Sequence, residues 1–209
     1  MKLHDFAHSP NCRRVCMFLA EKGIEVPRQS VDLMQGEQLS DAYAAINPRC
    51  ELPALETEDG VIGESVAIMA FFEAQQPEPA LFGTSPSERG QVMMWEHRAE
   101  KDGFGSLEDF IRNGFEAMAG RAMTGRESVE QIPALSERGK AQLMRFFAEA
   151  DAELAKHEHL AGEAFSVADI TLLSVVDFAA GFAKIELPEE HANLRRWHQR
   201  VSARPSASA

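Results

Sequence analysis

A chain of 209 residues with 21 Lys+Arg against 33 Asp+Glu carries a net charge of −12 at neutral pH. With 44 % hydrophobic and 26 % charged residues it has a globular composition, with enough chain for one large or two small domains, and is neither disordered nor fibrous. The acidic balance argues against nucleic acid as a main partner, because phosphate binding needs clustered Lys and Arg. The one such cluster, Arg195, Arg196, Arg200 and Arg204, falls in a mixed helical sequence and reads as a solvated face. Arg13 and Arg14 arrive before an apolar signal segment could form, and the run Ile170–Val176 between Asp169 and Asp177 is too short to span a bilayer. Three cysteines make no even disulfide framework, so the expectation is a cytoplasmic protein with reduced thiols and no membrane contact.

In chain order, the first 76 residues alternate short strands with helices. Lys2–Phe6 and Pro27–Asp32 read as strands, and Ala54–Thr57 and Val61–Gly63 as a hairpin around Glu58-Asp59-Gly60. Between them, Asn11–Lys22 places Cys12, Val15, Cys16 and Leu19 on one helical stripe and is closed by Gly23. Ser65–Gln76 is a second helix with Ile68, Met69 and Phe72 inward. The order βαβ then ββα predicts a small mixed sheet with helices packed on it.

The segment 77–85 is rich in proline and reads as a linker. Ser85-Pro86-Ser87-Glu88 then opens a helix with the spacing of a capping box. No strand is expected in 86–209. Leu143, Phe146, Phe147, Ala150 and Leu154 form a helical stripe, Ser166 and Asp169 a second capping box with Phe165 and Ile170 as its hydrophobic staple, and Glu189–Val201 a last helix. An α/β domain over residues 1–76 therefore precedes an all-α domain over 86–209.

Few residues can carry chemistry. Ser9-Pro10-Asn11 reads as an ordinary helix start, and equally as a hydroxyl beside free N–H groups that could stabilise an anion. A serine nucleophile is disfavoured, since no nucleophile elbow surrounds Ser9. Cys12 lies in the first helical turn, where the dipole lowers a thiol pKa from about 8.5, and is open to either a structural or a reactive reading. Glu64-Ser65, before the next helix, is an N-cap or a second anion site. Proline at Pro53 suits the first position of a strand, and the isomer of the Leu52–Pro53 bond is not readable from its residues. The histidines show no metal-ligand spacing, so no metal is expected.

Together these pieces resemble the cytosolic glutathione S-transferase family over essentially the whole chain. The residues that carry the resemblance are Ser9-Pro-Asn-Cys-Arg-Arg-Val15 with Glu21-Lys22-Gly23, Asn47-Pro48 leading to Leu52-Pro53-Ala54, Glu64-Ser65, the Ser166/Asp169 box, and Arg196-Trp197 with Arg204-Pro205-Ser206. The resemblance implies a thioredoxin-like N-terminal domain, a helical C-terminal domain, a homodimer, and glutathione as co-substrate. It makes Leu52–Pro53 cis, with the Leu52 backbone pairing the cysteinyl unit. It assigns Ser9 as the catalytic hydroxyl, with Asn11, which matches an asparagine used in some bacterial classes, beside it as catalytic, Glu64 and Ser65 to the γ-glutamyl end and Gln38 to the glycyl end. An apolar electrophile would then meet Met34, Trp95, Arg98, Phe104 and Phe110 at the domain junction. The alternatives are a disulfide reductase using Cys12 and a binding protein without catalysis. Cys50-Glu51 departs from the family's Gly followed by Gln or Lys, and Glu51 is expected to weaken binding of a tripeptide with two carboxylates.

Overall fold

The computed structural model describes all 209 residues. Strands β1 (Lys2–Asp5), β2 (Arg28–Ser30), β3 (Ala54–Thr57) and β4 (Gly60–Gly63) form one sheet in the order β2-β1-β3-β4. β1 and β2 run parallel, joined by α1 (Pro10–Lys22) as the crossover helix; β3 and β4 are antiparallel additions. Leu3 faces Leu55 across the β1–β3 ladder, and both are fully buried. The Pro27–Asp32 expectation shrinks to three residues, because β2 is an edge strand with a single partner and all three side chains exposed.

Sequence signals set the helix ends where they are local. Ser9 caps α1 and Gly23 closes it at φ 65, a left-handed conformation that costs glycine least. Ser85 and Glu88 form the reciprocal capping box of α4 (Pro86–Arg98), and Ser166 and Asp169 that of α7 (Val167–Gly181). Ile170 is fully buried and Phe165 packs against the same core. The last helix, α8 (Ala192–Ser202), starts three residues later than its periodicity suggests. Its cap is tertiary: Asp151 of α6 (Pro133–Leu154) accepts from the backbone N–H groups of Asn193 and Leu194 at 2.8 and 2.9 Å.

The all-α half is built around α6 and α7, with α5 (Gly105–Gly114) joined to α4 by a π-helical turn, Ala99–Phe104. Close approach needs glycine here: a Cβ on Gly103 would sit 2.9 Å from Val175, and one on Gly139 2.5 Å from the Ser106 carbonyl. The two halves share one continuous apolar core, running from Leu3, Val15 and Phe72 through Trp95 and Phe147 to Trp197. The 77–85 segment is correspondingly anchored: Lys22, buried at the end of α1, donates to the carbonyls of Gln76 and Pro79 at 2.8 and 2.5 Å. Glu73 of α3 (Ser65–Gln75) pairs with the same ammonium at 2.5 Å.

The C-terminal basic cluster divides, correcting its reading as one solvated face. Arg195, Arg196 and Arg200 are exposed, whereas Arg204 clasps Glu21 of α1 through two hydrogen bonds of 2.8 and 2.7 Å. No helix is long and apolar enough to cross a membrane.

Candidate active site

The N-terminal end of α1 packs on the turn before β3, and Arg49 of that turn reaches Glu64 at the start of α3. Cys12 of α1 and Leu52 of the turn share a small apolar cluster with Val31 and Tyr43, which holds these pieces together. Leu52–Pro53 is cis, as the family resemblance implies. The carbonyl of Glu51 is fixed from two sides, by the Tyr43 hydroxyl at 2.7 Å and the Asn47 amide at 2.9 Å. The Leu52 backbone takes no part in sheet, turn or cap bonds, and so keeps both a donor and an acceptor for an extended peptide. Burial pushes the Tyr43 phenol above its ordinary range, so this hydroxyl stays a donor.

Ser9 and Asn11 flank the free N–H groups of α1. Ser9 is 7 % exposed, and its Oγ accepts from the Cys12 N–H at 3.4 Å. Asn11 is half-buried, and its Oδ1 accepts from Arg14 Nη1 at 2.9 Å. Glu64 is the residue preceding α3, held at φ 62 without a side-chain cap, while Ser65 begins the helix and is buried. A non-glycine residue in the left-handed region costs about 1–3 kcal/mol and is typical of sites where a side chain is aimed at a ligand. Gln38 is buried on the short helical turn Glu37–Leu39, and its Oε1 has no partner in the chain, an amide end left for something else to meet.

Cys12 corrects the expectation of a dipole-activated thiol. It is 1 % exposed, and burial pushes its pKa up to about 12, against opposing hydrogen bonds from Ser9 and the Phe6 N–H. Desolvation outweighs the helix end because the sulfur faces the apolar cluster and not solvent.

The departure at Cys50-Glu51 is locally compensated. Cys50 adopts φ 57, the conformation for which glycine is the usual choice. Glu51 is clasped by Arg49 at 2.8 Å and accepts from Thr124 of the second domain at 2.5 Å. Arg49 also lies 3.6 Å from Glu64, so a cation stands between the two carboxylates. Arg126, two residues from Thr124, pairs with Asp41 of α2 (Asp41–Ala44) at 2.5 Å, giving the 119–132 loop a second hold on the first domain.

The proposed electrophile residues are not brought together. Phe104 is a buried member of the shared core, 8 % exposed, with the Arg14 guanidinium 5.1 Å from its ring centre. Trp95 is core, and Arg98 stacks on it at 4.8 Å while binding Glu149 at 2.9 Å. Phe110 packs on Phe115, and Met34 stands 80 % exposed on the loop after β2. No three His, Cys, Asp or Glu side chains converge as a metal site would require. Arg14, Arg49 and Thr124 carry no local marker in the sequence; Arg14 lies within the Ser9–Val15 motif, but its carboxylate partners, Glu96 and Glu100, come from the helical half.

A family model described as glutathione S-transferase, N-terminal domain, matches residues 3–80, and one for the C-terminal domain matches 116–205. Glutathione S-transferase 2 of Saccharomyces cerevisiae is 32 % identical over 99 % of this chain and 87 % of its own. The crystal structure of a glutathione S-transferase domain-containing protein from Marinobacter aquaeolei superposes with a TM-score of 0.90 at 33 % identity, covering 99 % of both chains. That of a glutathione S-transferase of Vibrio parahaemolyticus gives 0.82 at 33 %, over 99 % of this chain and 94 % of that one. With matching sequence, domain order and fold, the chain belongs to the glutathione S-transferase family.

Proposed function

We propose that the protein binds glutathione and presents its thiolate for attack on an apolar electrophile. The carrying observation is the convergence of three features: the Ser9 hydroxyl and Asn11 amide at the start of α1, the unpaired backbone of Leu52 beside a cis proline, and Glu64-Ser65 at the start of α3. Glutathione laid along Leu52 as an added strand would set its γ-glutamyl end at α3, with the carboxylate at the helix N-terminus and the ammonium against Glu64. Its glycyl end would run toward Gln38. The sulfur then lies at the start of α1, where a hydroxyl, an amide and the helix dipole each favour the anion.

A thiol is mostly protonated at neutral pH, with an ordinary pKa of about 8.5. One hydrogen bond to a charged acceptor contributes about 1.5–3 kcal/mol, equivalent to about one to two pKa units. At the upper end of that range the thiolate dominates at neutral pH, and the helix dipole acts in the same direction, with no metal or covalent enzyme intermediate. Phe104 at the domain junction supplies an apolar wall for the electrophile. The disulfide-reductase alternative finds no support in Cys12, whose thiol is buried and neutral.

The same reading makes the chain a cytosolic homodimer, supported by three unpaired cysteines and by exposed Met93, Met94 and, on the free sheet edge, Val61. Sedimentation at micromolar concentration tests the assembly, and a monomer would refute it.

Calorimetric titration of glutathione into wild type, Ser9→Ala, Asn11→Ala and Glu64→Ala tests the function. Binding lost in Glu64→Ala, with binding kept but conjugation reduced in Ser9→Ala or Asn11→Ala, is the expected pattern. A wild type that does not bind glutathione would overturn the proposal and favour a binding protein of other specificity.

A further inference from the structure

Arg14 is the second-largest wholly buried side chain of the molecule, 0 % exposed, and nothing in the proposed chemistry has yet used it. Its guanidinium lies where the two domains meet. Nη2 donates to Glu96 Oε1 of α4 at 2.6 Å, and Nη1 lies 2.5 Å from Glu100 Oε2 of the π-helical turn, an ion pair without hydrogen-bond alignment. Nη1 also donates to Asn11 Oδ1 at 2.9 Å, and the ring of Phe104 covers the guanidinium face at 5.1 Å. A charge buried this completely needs its partners, and Glu96, itself 2 % exposed, is the principal one.

The contact with Asn11 has a directional consequence. Arginine carries five donors and no acceptor, so an amide that meets it can turn only its oxygen toward it. Asn11 is thereby fixed with Oδ1 inward and its NH2 group outward, and no group of the chain accepts from that NH2. Without Arg14 the amide could rotate and offer its oxygen, a repulsive neighbour for an anion.

We propose that Arg14 is a positioning residue for thiol activation: clamped by Glu96 and Glu100 of the second domain, it holds the Asn11 amide with its NH2 group aimed at the glutathione sulfur. This rests on the reading that Asn11 contacts that sulfur. It also makes thiol activation a property of the assembled domains, since the clamp comes from α4 and the π-helical turn.

The test is a pH titration of the ultraviolet absorbance of enzyme-bound glutathione thiolate, in wild type, Asn11→Ala, Arg14→Lys and the double variant, with thermal melting alongside. Arg14→Lys keeps the buried charge but cannot span Asn11 and Glu96 together. Asn11→Ala is expected to raise the bound thiol pKa by about one unit, a tenfold loss of thiolate below the pKa. Arg14→Lys should raise it comparably, and the double variant no further than either single one. Four results overturn the inference. If Arg14→Lys lowers the melting temperature but leaves the thiol pKa at the wild-type value, Arg14 is a domain tie only. If the two shifts add, Arg14 acts on the sulfur by its own charge and not through Asn11. An unmoved pKa in Asn11→Ala removes the Asn11 reading and this inference with it. A wild type with no bound thiolate removes the proposed function itself. Should Arg14→Lys fail to fold, Glu96→Gln, which loosens the clamp but leaves Arg14 in place, decides: a raised thiol pKa supports the inference, and an unchanged one overturns it.

Discussion

Asp169 offers the sharpest test of the physical account of the fold, because one carboxylate serves four donors. Its Oδ1 accepts from the Leu160 N–H at 3.0 Å and the Trp197 indole at 2.8 Å; its Oδ2 accepts from the backbone N–H and hydroxyl of Ser166 at 3.1 and 3.2 Å. Asp169, Leu160 and Trp197 are all essentially buried, so Asp169→Ala leaves two donors with no partner. Each orphaned buried donor costs about 1–3 kcal/mol, and losing the capping box of α7 adds about 1 kcal/mol. The sum is about 3–7 kcal/mol, and at about 2–4 °C per kcal/mol for a chain of this size the melting temperature should fall by at least roughly 6 °C. Thermal and urea unfolding followed by circular dichroism measure this. The pKa of bound glutathione thiol, read on the same variant below its melting temperature, should stay at the wild-type value, since Asp169 touches no residue of the candidate site. Asp169→Asn should lose about half as much, because its oxygen can still serve Leu160 and Trp197 while its NH2 opposes the Ser166 N–H. A fall under about 3 °C in Asp169→Ala would refute the reasoning, showing that these bonds contribute little beyond what water supplies in the unfolded chain.

Three further outcomes follow from the same geometry. Glu51→Gln should leave glutathione affinity within about threefold, because Arg49 and Thr124 already absorb the charge and exposed pairs contribute little; calorimetry showing binding tenfold tighter would mean the repulsion is uncompensated. Cys12, with a thiol near 12, should resist alkylation in the native protein at pH 8 and react fully after denaturation, and Cys12→Ser should retain conjugation; native stoichiometric labelling detected by peptide mass spectrometry would contradict its burial. Glu21 is held below the usual carboxylate range by the Arg204 hydrogen bonds, against a smaller opposing effect of burial. Its contribution is therefore present above the unfolded pKa of about 4.3 and lost as pH falls through the lower folded value. The gap in urea midpoint between wild type and Glu21→Gln should thus be full at pH 7 and narrow progressively as the pH falls below about 4.3, and a gap that widens on acidification would refute the sign.

How far the candidate site was legible depends on the range of each interaction. Ser9, Asn11, Glu64 and Ser65 stand at helix starts, which local capping chemistry marks in the sequence, so they could be singled out before any coordinates. Gln38 and the electrophile residues had no such marker. Trp95 had an aromatic character that suited a pocket equally well, but packing put it in the helical core, with Arg98 half-exposed on its face and paired with Glu149. Cys12 shows the same limit in its chemistry: its place in the first turn was readable, while its burial by Val31, Tyr43 and Leu52 was not.

The sequence by itself determined what short-range forces control: the period change from mixed sheet to all-helix, the caps at Ser9, Ser85 and Ser166, the hairpin at Glu58-Asp59, and the motif order that marks the family. Tertiary structure alone decided the start of α8, capped by Asp151 from 42 residues away; the hydrogen bond that ties Glu51 to Thr124, 73 residues on; and the orientation of Asn11, set by an arginine whose counterion lies 82 residues along the chain. The physical reason is one of range. A capping box or a tight turn is satisfied by neighbours within four positions, whereas a helix end without one, or a buried charge, must find its partner wherever the folded chain brings one.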